Sequence, residues 1–86
     1  MTIGDGSYGF VNKGNGNTIT SNVASQSLPT NAVYVYSADG AGTVTNNTQL
    51  VSTGSANYGI YAAGNIVNDA DINFSNGIGN VGIYSI

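Results

Sequence analysis

The chain of 86 residues carries very little charge: one lysine (Lys13), four aspartates, and no arginine, glutamate or histidine, for a net charge of −3. A single lysine cannot make the several phosphate contacts that drive nucleic-acid binding, and no cysteine is present for a disulfide or a metal cluster. We therefore expect one small domain held together by regular stacking, with no nucleic-acid partner, no cofactor, no metal and no direct membrane insertion.

One short strand pattern occurs four times, at residues 8–11, 33–36, 58–61 and 81–84, with starts 25, 25 and 23 residues apart. Apolar residues alternate with a period of two, and dispersed glycines would each cost about 1 kcal/mol inside a helix. A leucine-rich repeat needs leucines at fixed offsets, and the chain has only Leu28 and Leu50. The sequence therefore predicts an all-β fold, a parallel β-solenoid of about three coils of 23–25 residues plus partial end coils.

Each predicted coil contains two or three strands joined by short turns. A second strand follows the repeated one at residues 18–22 and 43–47, and its counterpart near residues 66–69 aligns only with a shift. A third strand is expected near residues 23–25, 50–52 and 72–74. Turns are predicted at the glycine-rich stretches 4–6 and 40–42, and at Pro29, which lacks an amide donor.

The predicted coils are residues 8–32, 33–57 and 58–80, and residues 81–86 begin a fourth. Residues 2–7 align with residues 52–57, two repeats later, and are expected to end an earlier coil. The strand edges of the end coils favour pairing with neighbouring coils of the same protein or end-to-end self-association. We predict that this single β-helix segment belongs to a longer solenoid.

Aligning the coils turns each position of the repeated strand into a column, and alternation predicts which columns face the core. The first and third columns are wholly apolar or aromatic and are expected to point inward; they are Tyr8, Val33, Tyr58 and Val81, and Phe10, Val35, Ile60 and Ile83. The second and fourth are then expected to point outward; they are Gly9, Tyr34, Gly59 and Gly82, and Val11, Tyr36, Tyr61 and Tyr84.

The fourth column predicts an exposed tyrosine ladder, which we define as Tyr36, Tyr61 and Tyr84. Stacking between neighbouring strands explains such a ladder, since cross-strand aromatic pairs contribute up to about 1 kcal/mol each. The alternative is a surface stripe that binds a sugar or a protein.

Two groups of polar residues resemble functional motifs. On a strand, Asp69 and Asp71 would share one face, as carboxylates do in glycosidases, but nothing basic accompanies them, and the sequence favours two solvated turn aspartates. Threonine pairs one coil apart resemble the rows of ice-binding solenoids, although the third coil breaks the row; they are Thr18 and Thr20, and Thr43 and Thr45.

Asparagines recur at the predicted turns, as at Asn22, Asn47, Asn68 and Asn80. Asparagine tolerates the left-handed backbone of turns, and its amide can donate and accept between stacked coils. We therefore expect these side chains to form turns or ladders.

The strands Gly59-Ile60-Tyr61-Ala62 and Gly82-Ile83-Tyr84-Ser85, with asparagine- and glycine-rich turns between them, resemble the passenger repeats of bacterial autotransporter adhesins, particularly the large fusobacterial ones. The resemblance covers most of the chain, and the first coil departs from it at Phe10-Val11-Asn12. It implies a right-handed β-helix exported to the bacterial cell surface. The signal peptide and translocator barrel of that family would lie outside this sequence.

The function expected from the repeat and the resemblance together is a non-enzymatic structural or adhesive segment of a surface-exposed passenger. Its partners would be neighbouring coils, another copy of the chain, or host glycans and surface proteins. The alternatives are a fragment of a carbohydrate-active β-helix enzyme that uses Asp69 and Asp71, and an ice-binding solenoid.

Overall fold

The structure, a computed structural model, describes residues 2–38 and 42–86. Every regular element in this part of the chain is a strand. Ten strands are present in it: β1 Tyr8–Val11, β2 Thr18–Ser21, β3 Ser25–Leu28, β4 Val33–Ser37, β5 Thr43–Asn46, β6 Gln49–Ser52, β7 Tyr58–Ala62, β8 Asn65–Asn68, β9 Ile72–Asn73 and β10 Val81–Ser85. The turn predicted at residues 40–42 lies largely outside the described residues.

The strands form three parallel sheets, because each coil contributes one strand to each sheet. The strand orders are β1-β4-β7-β10, β2-β5-β8 and β3-β6-β9. In the first sheet Tyr8 pairs with Val33, Val33 with Tyr58, and Tyr58 with Val81. The protein is thus an all-β parallel β-solenoid of about three turns, as the repeat predicts; the right-handed sense stays a prediction.

The coils differ in the lengths of their turns. In the second sheet Thr43 pairs with Asn65, an offset of 22 residues, which resolves the shift that the sequence alone left open. The third sheet pairs Ser25 with Gln49. The third strand is present in each coil, near residues 50–52 and 72–74 as expected. In the first coil its predicted position at residues 23–25 is wrong: Val23 is exposed, and β3 begins at Ser25 with Gln26 and Leu28 facing inward.

Residues 2–7 stack on the turn of the next coil, as their alignment with residues 52–57 predicts. The Gly6 N–H donates to the Thr30 carbonyl at 3.0 Å, and the Val33 N–H donates to the Ser7 carbonyl at the same distance. One coil later, Asn31 and Tyr58 make the equivalent bonds to Ser55 and Ala32. Ile3 is buried against the core.

The second column of the repeated strand faces the interior, so the predicted alternation is wrong at its start. Tyr34 is fully buried, whereas Tyr8 of the first column is 52% exposed. Two consecutive residues of each inner strand, such as Gly59 and Ile60, are buried, and strand pairing skips the second position throughout this sheet. The strand therefore bends at this position and the alternation resumes with opposite phase.

Glycine in the second column leaves space for the neighbouring coil. A Cβ on Gly9 would lie 2.6 Å from the Tyr34 carbonyl oxygen and 3.0 Å from Tyr34 Cδ1. The absence of a side chain on Gly9 therefore leaves room for the ring of Tyr34 in the next coil. Its hydroxyl shares a hydrogen bond with Ser21, which also bonds Thr48 at 2.6 Å, so the buried phenol has a polar partner.

The core runs along the axis of the solenoid, between the three sheets. Its buried apolar members are Ile3, Leu28, Ala32, Tyr34, Val35, Val44, Leu50, Ile60 and Ala62. Phe10, Ile19, Ile66, Ile72 and Phe74 pack against this cluster with partial exposure. No helix in the described part of the chain has the length and apolar character to cross a bilayer.

Candidate functional site

The tyrosine ladder lies on the outer surface of the four-stranded sheet. Strand pairing aligns Tyr36 with Tyr61 and Tyr61 with Tyr84. The Tyr36 and Tyr61 ring centroids are 5.3 Å apart with planes inclined by 7°, and those of Tyr61 and Tyr84 are 4.8 Å apart and inclined by 3°. The outward orientation predicted for these three residues is confirmed, and the binding role stays a prediction.

Two tyrosines of the first column stand beside the ladder. Tyr58 is perpendicular to both Tyr61 and Tyr84, at centroid distances of 5.5 and 6.0 Å. Tyr8 is perpendicular to Tyr36 at 5.4 Å. We call these five residues the tyrosine face. Sequence reasoning missed Tyr8 and Tyr58 because it assigned their column to the core. Each of these tyrosines is followed by a glycine, and this glycine was the available signal that the alternation changes there.

The stacking determines which part of each ring a ligand can reach. Both faces of Tyr61 are covered by Tyr36 and Tyr84, so only its edge and hydroxyl meet solvent. A sugar that binds by lying flat on an aromatic ring therefore cannot use Tyr61. The ladder instead offers a row of phenol hydroxyls, each a donor and an acceptor.

The same stacking changes the acidity of the central phenol. The pKa of Tyr61 is raised above its ordinary value of 10.0, first because partial burial of the residue disfavours the charged phenolate. The hydroxyls of Tyr84, Tyr36 and Tyr58 add to this shift, since a second negative charge beside them is unfavourable. Tyr61 therefore remains a hydrogen-bond donor at neutral pH.

The ladder is interrupted in the first coil, where Val11 pairs with Tyr36. A groove of about 300 Å³ opens there, lined by Tyr8, Val11, Lys13 and Tyr36. We call it the ring slot. Val11 and Lys13 are both exposed, and the slot holds the only basic residue of the sequence.

The turn that carries Lys13 is fixed by the side chain of Asn12. Its Oδ1 accepts from the Gly14 N–H at 3.1 Å and from Asn17 Nδ2 at 3.0 Å. Its Nδ2 donates to Ser37 Oγ of the next coil at 3.2 Å. Lys13 thus projects from an ordered turn next to the end of β1.

Asp69 and Asp71 lie in the turn between β8 and β9, and both are exposed. The shared strand face that a glycosidase-like pair would require is not formed, since neither residue belongs to a strand. Their backbones stack on the previous coil: the Asp69 N–H donates to the Asn46 carbonyl, and the Asp71 carbonyl accepts from Leu50. This placement fits the interpretation as solvated turn residues.

The threonine rows are in register on the outside of the second sheet. Thr18 pairs with Thr43 and Thr20 with Thr45. The third strand of the sheet brings Asn65 and Val67 to the same positions. The row of hydroxyls is therefore two strands wide.

Asparagine side chains bond neighbouring coils to one another, as predicted. Asn46 Nδ2 donates to Asn68 Oδ1 at 2.8 Å, and Asn47 Nδ2 donates to Asn22 Oδ1 at 2.9 Å. Sequence reasoning did not single out Asn57, which is fully buried beside the core. Its position 23 residues before Asn80 was the signal that could have found it.

A larger hollow, of about 380 Å³, lies beside β3 and is lined by uncharged side chains; they are Thr2, Ile3, Ser25, Gln26, Ser27, Pro29 and Thr53. It contains no group that could act as an acid, a base or a charged anchor. The tyrosine face is thus the stronger candidate site of the described residues.

Comparisons of the chain with protein-family models, with curated proteins and with solved structures find no match. The likeness to autotransporter passenger repeats therefore stays an expectation from the sequence.

Proposed function

We propose that this chain is a non-enzymatic structural and adhesive segment of a β-solenoid displayed on a bacterial cell surface. The observation that carries the proposal is the tyrosine face, a continuous row of phenol edges and hydroxyls on one outer wall. Tyrosine is favoured in protein contact surfaces because a rigid ring buries a large area and its hydroxyl finds a polar partner.

The arrangement of the coils supports the structural half of the proposal. Each sheet extends along the solenoid axis, and β1 and β10 are the edge strands of the largest sheet. Ile83, Tyr84 and Ile86 are exposed near the β10 edge. Unpaired strand edges with apolar neighbours are covered by pairing, so we propose neighbouring coils or a second copy of the chain as the occupants of these edges.

Binding of the folded protein to arrays of host glycans and to host surface proteins tests the adhesive half. A triple variant, Tyr36→Phe, Tyr61→Phe and Tyr84→Phe, keeps the stacked rings and removes the hydroxyl row. We expect it to weaken binding at least about tenfold, the loss of roughly 1.4 kcal/mol of hydrogen bonding.

The matched control removes three hydroxyls from another wall, by Thr18→Val, Thr20→Val and Thr45→Val, and should leave that binding unchanged. Equal losses in the two triple variants would reject the tyrosine face as the binding surface. No binding to any glycan or protein would leave a purely structural role.

An ice-binding role has one observation in its favour, the threonine rows in register on β2 and β5. The same triple valine variant tests it through the freezing-point depression of the solution. A carbohydrate-active role would rest on Asp69 and Asp71, and Asn substitutions at both would abolish any hydrolysis that depends on them.

A further inference from the structure

The third and fourth coils contain a complete site for one aromatic ring, and its occupant is Tyr61. The ring of Tyr61 lies flat on Tyr84, with centroids 4.8 Å apart, and stands perpendicular to Tyr58 at 5.5 Å. Tyr58 is also perpendicular to Tyr84. Two rings at right angles therefore make a corner, and a third ring fits into it.

The first and second coils repeat this corner without its occupant. Val11 takes the place of Tyr61: it pairs with Tyr36 just as Tyr61 pairs with Tyr84. Tyr8 takes the place of Tyr58, since each lies three residues before its partner in the corner, Val11 or Tyr61. Tyr8 and Tyr36 are perpendicular with centroids 5.4 Å apart, close to the arrangement of Tyr58 and Tyr84. The ring slot is the space that the smaller valine side chain leaves in this corner.

The open face of Tyr36 is the floor of the slot. Tyr61 covers one face of Tyr36, and the other is directed toward Val11, its partner in the preceding coil. A ligand can therefore lie flat on Tyr36 here. Tyr84, at the other end of the ladder, also has one face without a stacked ring, but its own coil has Val81 in the column that Tyr8 occupies. A planar aromatic ring there would stack on Tyr36 and present an edge to Tyr8, both favourable geometries for π systems.

Lys13 adds a charge preference. It lines the slot on the turn that Asn12 holds in place. The chain carries a net charge of −3, so this lysine is the feature that selects for an anionic substituent.

We propose that the ring slot binds a planar aromatic ring that carries a carboxylate, with the ring stacked on Tyr36 beside Tyr8 and the carboxylate at Lys13. A pyranose acid could also meet Tyr36 with its C–H groups. A pyranose has no π system, however, and so cannot make the perpendicular aromatic contact with Tyr8 that Tyr61 makes with Tyr58. The geometry therefore favours the aromatic ligand. The site rests on the ladder geometry alone and does not depend on the adhesive role proposed above.

The test is a titration of the isotopically labelled protein followed by NMR, with 3-(4-hydroxyphenyl)propionate as the probe. A ligand of this size is expected to bind with a Kd of roughly 1 mM. Shifts should concentrate at Tyr8, Val11, Lys13 and Tyr36. The uncharged amide of the probe tests the role of the carboxylate, and methyl glucuronide tests the sugar alternative; tighter binding of the glucuronide than of the probe would overturn the assignment.

The decisive variant is Val11→Tyr, which completes the ladder and fills the slot. We expect it to weaken binding of the probe at least about tenfold. Its matched control is Val67→Tyr, the same substitution at an exposed valine of β8, which should bind like the original protein. Unchanged affinity in Val11→Tyr would overturn the proposal.

Lys13→Met supplies a test that does not alter the strand. It should weaken binding of the carboxylate about threefold to tenfold and leave binding of the amide unchanged. Equal affinity of this variant and the original protein for the carboxylate would remove Lys13 from the site and overturn the proposed ligand class.

Discussion

At the scale of single residues, buried asparagine amides carry much of the polar bonding between coils. Asn57 is fully buried, and its Oδ1 accepts from the Ala32 N–H at 2.9 Å. Its Nδ2 donates to the Pro29 carbonyl at 2.7 Å. Both partners belong to the preceding coil, so one side chain satisfies a buried donor and a partly buried acceptor.

The substitution Asn57→Ala should therefore be strongly destabilising. It leaves the buried Ala32 N–H and the Pro29 carbonyl without their partner, which costs about 2 to 4 kcal/mol of unfolding free energy. Urea denaturation measures the change as a lower midpoint at constant slope.

Asn47→Ala is the matched control for this substitution. Asn47 also bonds the preceding coil through its amide, by donating to Asn22 Oδ1, but on the exposed surface. We expect a loss of about 0.5 kcal/mol or less. Equal losses at the two positions would contradict the view that burial gives Asn57 its importance.

At the scale of the element, the second column of the repeated strand lies very close to the neighbouring coil. A Cβ on Gly59 would lie 2.5 Å from the carbonyl oxygen of Gly82 and 3.2 Å from Leu50 Cδ1. The Gly82 carbonyl belongs to the backbone, so it cannot move aside as the end of a flexible side chain can. Position 59 therefore requires glycine, because there is no space for a side chain between the two coils.

The substitution Gly59→Ala should cost about 1 to 3 kcal/mol of unfolding free energy, since the added methyl group must push two coils apart. Gly82→Ala is its control in the same column, because the nearest atom to its Cβ is Ile72 Cγ2 at 3.4 Å. It should change the stability by less than about 1 kcal/mol. Thermal unfolding of both variants measures the difference, and a larger loss at Gly82 would refute the steric account.

The coils and sheets could be predicted from the sequence because in-register stacking places equivalent residues of successive coils side by side. The period brought Tyr36 next to Tyr61 and Tyr61 next to Tyr84. The phase of alternation could not be predicted, since a bend at the second column reverses which side chains face the core. That error assigned Tyr8 and Tyr58 to the interior, and so concealed the corner in which the ring slot lies.

The third sheet shows a second limit of the repeat. The second coil has one residue fewer before β6 than the first coil has before β3, which changes the pairing offset from 25 to 24 residues, and Gln26, a polar residue, takes an inward position. A shift in strand register cannot be read from the pattern of apolar residues when one of the inward positions is a glutamine. Gln26 Nε2 donates to the Ser27 carbonyl at 3.0 Å, which satisfies the amide in place.

At the scale of the whole molecule, tyrosines outnumber the charged side chains: the chain has six tyrosines, four aspartates and one lysine. Ionisation of the stacked Tyr61 phenol should therefore affect the stability of the folded protein on the alkaline side of neutrality. The pKa of Tyr61 is raised in the folded protein, so above about pH 10 the unfolded chain loses this proton while the folded chain keeps it. The unfolded state then binds fewer protons, and stability falls as the pH rises.

We expect the contribution of Tyr61 to be fully present below about pH 10 and to be lost as the pH rises through its raised folded-state pKa. Tyr61→Phe keeps the ring between Tyr36 and Tyr84 and removes the proton that titrates. Urea denaturation at about pH 8 and pH 11 should show a smaller alkaline loss of stability in this variant than in the original protein. Equal losses in the two proteins would show that stacking of Tyr61 does not couple its ionisation to folding.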